Sequence, residues 1–121
     1  DALEIDRWNH LHPEEPPRKC WVEQCFGDRP GPYVAATDYM KITADQIQSW
    51  VPGKFYSLGT DGYGRSDARK ALREHFEVDR RFIAVTALNA LVRDGALDQK
   101  TVKQAIEKYG IDPDRPDPVT L

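Results

Sequence analysis

Two short apolar runs separated by a stretch with helical spacing lie at the centre of this chain. Residues 33–36 (Tyr-Val-Ala-Ala) and 55–58 (Phe-Tyr-Ser-Leu) are short, apolar and flanked by Pro or Gly, which is typical of buried strands. Between them, apolar residues recur at i, i+4, i+7 and i+11, which predicts an amphipathic helix over 39–51. These residues are Met40, Ala44, Ile47 and Val51. The pattern predicts a β-α-β unit with parallel strands and a right-handed connection.

Three more helices are predicted after the second strand. The first begins at Ser66, whose hydroxyl can cap a helix N-terminus, and its apolar face ends at Phe76. The second covers 79–94 and is apolar almost all round, so it needs cover on most sides. Gly95 can supply the left-handed residue that ends it. The third runs over 98–110.

The chain divides by pattern into three parts. Prolines punctuate residues 1–32, which predicts an irregular lead-in with one short helix at 18–26. Residues 33–110 are predicted to form an α/β core, and 111–121 an extended tail. Two parallel strands do not make a stable sheet alone, because parallel sheets contain more strands and are covered on both faces. The expected fold class is therefore α/β, as part of a three-layer α/β/α domain with a mostly parallel sheet.

Charge and composition exclude several classes of function. The net charge is -3, with Lys and Arg scattered among Asp and Glu, and the densest basic spots, Arg18-Lys19 and Arg80-Arg81, are short. Nucleic acid is therefore not an expected partner. No apolar run approaches the roughly 18 residues that span a bilayer, so no membrane is expected either. Cys20 and Cys25 are spaced unfavourably for a disulfide, and reduced thiols indicate a cytoplasmic protein.

The most distinctive stretch is the glycine-rich loop 59–67 (Gly-Thr-Asp-Gly-Tyr-Gly-Arg-Ser-Asp). It lies between a parallel strand and a helix, where open α/β sheets place ligands and helix N-termini favour anions. This position predicts a candidate anion or interface loop, with Arg65 as the cation. The residues of this candidate loop are Gly59, Asp61, Gly62, Gly64, Arg65 and Ser66. The competing interpretation is a tight turn without a ligand, because the glycine spacing matches neither the dinucleotide nor the P-loop pattern.

No catalytic or metal-binding residues are predicted. The residue types of His10, His12, Cys20 and Cys25 suit zinc, but their spacing matches none of the common structural zinc patterns. No serine stands in a Gly-x-Ser-x-Gly motif. The residues alone therefore predict a non-catalytic α/β segment.

Six stretches, in order along the chain, resemble the C-terminal segment of the homodimeric-type pyruvate dehydrogenase decarboxylases. They are 6–9 (Asp-Arg-Trp-Asn), 11–13 (Leu-His-Pro), 36–40 (Ala-Thr-Asp-Tyr-Met), 58–67 (the glycine-rich loop with the preceding Leu), 75–79 (His-Phe-Glu-Val-Asp) and 108–113 (Lys-Tyr-Gly-Ile-Asp-Pro). The likeness covers essentially the whole chain with similar spacing. Tyr63 stands where the family more often has Phe.

The resemblance implies a larger parent enzyme, related to transketolase and dependent on thiamin diphosphate and magnesium. Such an enzyme decarboxylates pyruvate and passes the acetyl group to the lipoyl acyltransferase of its complex. The family holds its cofactor in the first two domains, at the dimer interface, and the third domain mainly supports dimer assembly. This segment resembles the third domain, without the strand and helix that open it. No catalytic or cofactor-binding residue of the family falls here, so the expected partners are the rest of the parent chain and its dimer mate.

The chain contains one near-match to a cofactor-binding motif. Asp61-Gly62 followed by Asn89 approximates the metal and diphosphate motif of thiamin enzymes, but Thr60 and Ala90 stand where Gly and Asn are needed. No cofactor site is therefore predicted.

Two alternatives to the family interpretation remain. One alternative is a stand-alone interaction or regulatory module that binds an anion at loop 59–66. The other is a sugar-transferring transketolase relative, which the glycine-rich loop disfavours.

Overall fold

Helices surround a pair of short strands in the computed structural model, which describes residues 1–62, 64 and 66–121. The elements, in chain order, are α1 (Ala2–Leu11), α2 (Trp21–Phe26), β1 (Tyr33–Ala36), α3 (Lys41–Asp45), a 3₁₀ turn (Gln48–Trp50), β2 (Phe55–Leu58), α4 (Arg69–His75), α5 (Arg80–Arg93), α6 (Gln99–Lys108) and a second 3₁₀ turn (Pro118–Thr120). None of the helices in these described ranges is long and apolar enough to cross a membrane.

The two strands pair in parallel, in a register that runs from Tyr33↔Phe55 to Ala36↔Leu58. The strands pack against α3 and α5. Ser57 also ties β2 to α3, because its hydroxyl donates to the Asp45 carboxylate at 2.6 Å. The predicted α/β class and the parallel pairing are thus confirmed.

Side-chain caps and glycines bound the two C-terminal helices, close to the limits predicted from the sequence. The Asp79 carboxylate accepts hydrogen bonds from two first-turn amides of α5, at 3.0 and 3.2 Å. Asp98 accepts one in α6, at 2.9 Å. Such caps satisfy amides that lack partners inside the helix. Gly95 and Gly110, with φ of 78° and 65°, adopt the left-handed conformation that ends each helix.

An unusually large surface remains exposed around a small core. The buried apolar residues are Cys20, Val51, Phe76, Val78, Phe82 and Ala90. The accessible surface is 8872 Å², whereas a folded monomer of 13.8 kDa typically exposes about 6,600 Å². Although α5 is apolar on nearly every side, only Phe82 and Ala90 within it are buried. The described part of the chain therefore leaves uncovered much of the apolar surface that its sequence is patterned to bury.

Residues 1–32 contain two helices, so the prediction of a single short helix there was wrong. Three of the five prolines of this region lie between α1 and α2 and the other two follow α2, so none of them breaks a helix. Asn9 of α1 holds the connection, because its amide donates to the Arg18 carbonyl at 3.0 Å and its oxygen accepts from the Arg18 amide at 2.8 Å. The Asp1 carboxylate accepts from the Trp21 amide at 2.9 Å, which joins the start of α1 to the start of α2.

The helix predicted over 39–51 is shorter than its apolar spacing indicated. α3 ends at Asp45, and the chain continues in the 3₁₀ turn. Met40 is 59% exposed, whereas Val51 is buried, so the predicted stripe does not lie along one helix face. A long-range contact accompanies the change, since the Trp50 indole donates to the Asp6 carboxylate of α1 at 3.1 Å. Tertiary structure overrides the local helical pattern here.

The start of α4 also differs from the prediction. Ser66 is exposed and does not cap the helix, which begins at Arg69 with Ala68 in the N-cap position. The preceding carboxylate of Asp67 accepts from the Ala68 amide at 2.7 Å. This contact favours a turn before the helix and delays its first residue.

The C-terminal tail folds back on the core, which corrects the expectation that it is extended. Pro118 is buried within the second 3₁₀ turn. The Arg115 guanidinium lies over the Phe82 ring, 5.2 Å from its centroid, and pairs with Glu77 at 3.3 Å. These contacts fix the tail to α5 and to the turn that follows α4.

Candidate functional site

The loop after β2 is packed tightly against the loop after β1. Gly59 is buried, and a Cβ atom there would lie 2.5 Å from the Lys41 amide nitrogen and 2.7 Å from the Tyr39 carbonyl oxygen. The Thr60 amide donates to the same Tyr39 carbonyl at 2.8 Å. Glycine is required at position 59 because the two backbones approach too closely for any side chain.

Asp61 and Gly62 also make contacts within the chain. The Asp61 carboxylate accepts from the Lys41 amide at 3.0 Å and so satisfies the first turn of α3. Gly62 has a φ of 107°, and a Cβ atom there would lie 2.7 Å from the Pro118 carbonyl oxygen. These contacts fit the tight-turn interpretation of the loop. Gly64 and Ser66 are exposed, and Arg65 lies outside the described residues, so the anion loop stays a prediction.

An ion pair joins the loop after β1 to α4. Asp38 accepts from two guanidinium nitrogens of Arg73, Nε at 3.2 Å and Nη2 at 3.0 Å. These hydrogen bonds lower the pKa of the Asp38 carboxyl below its usual value and raise the pKa of Arg73. The fork geometry is specific, but both side chains are substantially exposed, so water screens the pair and its contribution to stability is small.

The Arg73→Gln substitution is expected to return the pKa of Asp38 toward 3.8. Because the folded pKa is depressed, the pair stabilises the protein above the unfolded value and loses this effect as the pH falls through the folded value. The stability difference between the variant and the unsubstituted protein should therefore disappear in strong acid. Carboxyl chemical shifts followed by NMR against pH measure the pKa directly. Arg93→Gln, at the far end of α5, serves as control, and an identical Asp38 titration in both variants would refute the assignment.

Two adjoining depressions lie at the carboxyl ends of the strands. One is an open cavity of about 410 Å³ between the two loops and α4, with Leu72 and Phe76 in its wall. The other is a groove of about 1100 Å³ between the end of β1 and the starts of α4 and α5. Both include Asp38, Arg69 and Arg73. Ligands of parallel α/β sheets bind at this end of the strands.

Sequence reasoning missed the groove, although it noticed one of its parts. The cations that line it are Arg69, Lys70, Arg73, Arg80 and Arg81. In the sequence they form short, separate groups, and Arg80-Arg81 was judged too short to bind nucleic acid. The usable signal was their position at the starts of two successive predicted helices.

The described residues do not form a metal centre. Within them, no group of three or more His, Cys, Asp or Glu side chains could hold a metal ion. His12 stacks on Trp8 with a ring separation of 4.2 Å. Cys20 is buried and Cys25 is exposed, and both are free thiols.

Nor do the described residues fit thiamin diphosphate. A metal-diphosphate site needs Asp61 and Asn89 to converge on one ion. The Asp61 carboxylate instead caps α3. Asn89 is exposed within the regular helix α5.

A parallel β-α-β unit followed by three helices defines a segment of an α/β domain. The chain belongs to the transketolase-like TK C-terminal domain family, whose profile matches residues 5–79. The family assignment made from the sequence motifs is thus confirmed.

The alignments with known relatives cover almost the whole chain. It is 53% identical over 120 residues to the pyruvate dehydrogenase E1 component of Pseudomonas aeruginosa, which covers 98% of this chain and 14% of that protein. The protein of the same name from Escherichia coli K12 is 48% identical over 119 residues, covering 98% of this chain and 13% of the relative. The protein of the same name from Cupriavidus necator is 44% identical over 121 residues, covering 100% of this chain and 14% of the relative. The chain thus spans about one-seventh of the length of these relatives.

Proposed function

We propose that this chain is the C-terminal structural and dimer-supporting segment of a cytoplasmic pyruvate dehydrogenase decarboxylase. The segment itself is non-catalytic, and its role is to complete the third domain of the parent and to contribute to dimer contacts. The observation that carries this proposal is the match of nearly the whole chain to several E1 components at 44–53% identity.

The exposed surface supports a role inside a larger assembly. The accessible area exceeds that of a typical monomer of this mass by roughly 2,200 Å², a size found in permanent protein interfaces. Among the described residues the sheet contains two strands, and each of them has one edge that the other does not cover. Neighbouring parts of a parent domain would pair with these edges and cover α5.

The parent would carry the chemistry. By its likeness to the relatives, it decarboxylates pyruvate with thiamin diphosphate and magnesium and passes the acetyl group to a lipoyl acyltransferase. When bound, thiamin diphosphate supplies the carbanion-stabilising chemistry that decarboxylation needs. None of that chemistry is assigned to the residues of this chain, which act by packing.

The size of the native protein tests the proposal. An immunoblot of fresh source extract, with an antibody to residues 98–110, is expected to show a band far larger than 13.8 kDa. The same antibody should deplete pyruvate-decarboxylating activity from the extract, and ketose phosphates should not replace pyruvate as donor. A band at 13.8 kDa in extract protected from proteolysis would overturn the proposal in favour of a stand-alone module.

A further inference from the structure

The first turns of two successive helices carry cations where helix electrostatics disfavour them. Arg80 and Arg81 open α5, and Arg69 and Lys70 open α4. Neither first turn contains an acidic residue. Since the N-terminus of a helix bears partial positive charge, a cation in the first turn is electrostatically unfavourable. Departures of this kind from local preference are characteristic of functional sites.

The four cations converge on one groove, although they belong to two helices. The groove of about 1100 Å³ runs beside the end of β1, and its lining includes Ala36, Thr37 and Asp38. Five cations and three acidic residues line it, whereas the whole chain has a net charge of -3. Positive charge is therefore concentrated at the end of the strands where parallel sheets bind ligands.

Internal ion pairs engage only part of this charge. Arg73 is paired with Asp38. Arg81 is paired with Asp79 and Glu74, at 2.9 and 3.2 Å.

The other three cations of the groove are not engaged by ion pairs within the described part of the chain. Among the described residues, no acidic side chain lies within ion-pair distance of Arg69, Lys70 or Arg80. All three are exposed.

We propose that this groove binds the phosphate monoester of a small organic molecule. Arg69, Lys70 and Arg80 would hold the phosphate, because guanidinium groups donate paired, charge-assisted hydrogen bonds to phosphate oxygens. The organic part would occupy the adjoining cavity of about 410 Å³, against Leu72 and Phe76. That volume lies within the range of small-molecule pockets, which combine apolar walls with a few polar anchors.

Calorimetric titration with AMP tests the proposal, because AMP joins a phosphate monoester to a flat ring system. The intact protein, expressed from its complete gene, is first saturated with thiamin diphosphate and magnesium so that any diphosphate site elsewhere is occupied. Saturable AMP binding is expected, whereas adenosine, which lacks the phosphate, should not saturate. Arg80→Ala should weaken AMP binding by about tenfold, the loss expected for a charge-assisted hydrogen bond.

Arg93→Ala provides a matched control. It removes the same charge from α5 but at the opposite end, about 20 Å away, and should leave AMP affinity unchanged. Arg80→Ala should unfold at the same temperature as the unsubstituted protein or above it, because it removes a cation from a helix N-terminus. Lys70→Ala, on α4, should also weaken binding.

Two results would overturn the proposal: no saturable AMP binding, or equal losses for Arg80→Ala and Arg93→Ala. Pyruvate turnover is measured on the same preparations. A groove that fails to bind AMP is thereby told apart from a parent that is not a pyruvate decarboxylase.

Discussion

Replacing Phe82 with Ala is expected to lower the free energy of unfolding by about 3–4 kcal/mol, the usual effect of truncating a buried aromatic side chain. Phe82 is 9% exposed and lies in the first turn of α5. Two guanidinium groups flank its ring, those of Arg81 at 5.8 Å and Arg115 at 5.2 Å from the centroid. The substitution would therefore leave a cavity and also remove the ring that anchors the C-terminal tail.

Urea unfolding followed by circular dichroism measures this effect. Leu3→Ala is a suitable control, because Leu3 is 76% exposed and its loss should change stability by less than about 0.5 kcal/mol. Phe82→Leu, which keeps most of the apolar volume, should fall between the two. If Phe82→Ala were as stable as Leu3→Ala, the packing of the tail on α5 would be wrong.

Replacing Gly59 with Ala is expected to destabilise the protein by about 2–3 kcal/mol, because the new methyl group would collide with backbone atoms. The colliding atoms are the Lys41 nitrogen at 2.5 Å and the Tyr39 carbonyl oxygen at 2.7 Å, and backbone cannot move aside as a long side chain can. Relief of the clash would separate the loops after β1 and β2 and break the hydrogen bond from Thr60 to Tyr39.

Gly64 provides the matched control within the same loop. A Cβ atom at Gly64 would meet nothing within 4 Å, so Gly64→Ala should leave stability unchanged or raise it by up to about 1 kcal/mol. Thermal unfolding of the two variants side by side measures the difference. Equal melting temperatures would show that the loops do not pack as closely as described.

Local patterns in the sequence predicted those elements whose determinants are also local. The strands 33–36 and 55–58 were found by composition and by the breakers around them. α5 and α6 were found from their apolar residues and from Gly95 and Gly110 at their ends, and in the structure Asp79 and Asp98 cap their starts. Contacts between residues close in sequence carry these signals, which is why the pattern sufficed.

The errors occurred where distant residues decide the local structure. Two hydrogen bonds between Asn9 and Arg18 join α1 to the far end of the proline-containing connection that follows it. α3 is short where Trp50 reaches Asp6, 44 positions away. The fold back of the tail depends on Arg115 finding Phe82. No local window contains both partners of such contacts, so periodicity alone could not predict them.

The sequence predicted one part of the candidate site, the glycine-rich loop, but not the groove beside it. The glycine-rich loop is easily recognised in the sequence, yet Gly59, Asp61 and Gly62 serve packing in the structure. The cations of the groove form no recognisable group in the sequence. Lys70 and Arg80, for example, are ten positions apart and are brought to one groove by α4 and α5. Which charges share a surface depends on the angle between helices, and sequence spacing does not encode that angle.

The pairing of β1 with β2 sets an order of events for folding. Tyr33 pairs with Phe55, 22 positions later, so the strands meet only after the intervening chain has closed into a loop. α5 and α6 are neighbours in sequence and pack on each other, and contacts of this local kind form faster. The helical pair should therefore form early, and the strands should join late. A slowly folding sheet spends longer with its edges open, and open edges are where chains associate wrongly.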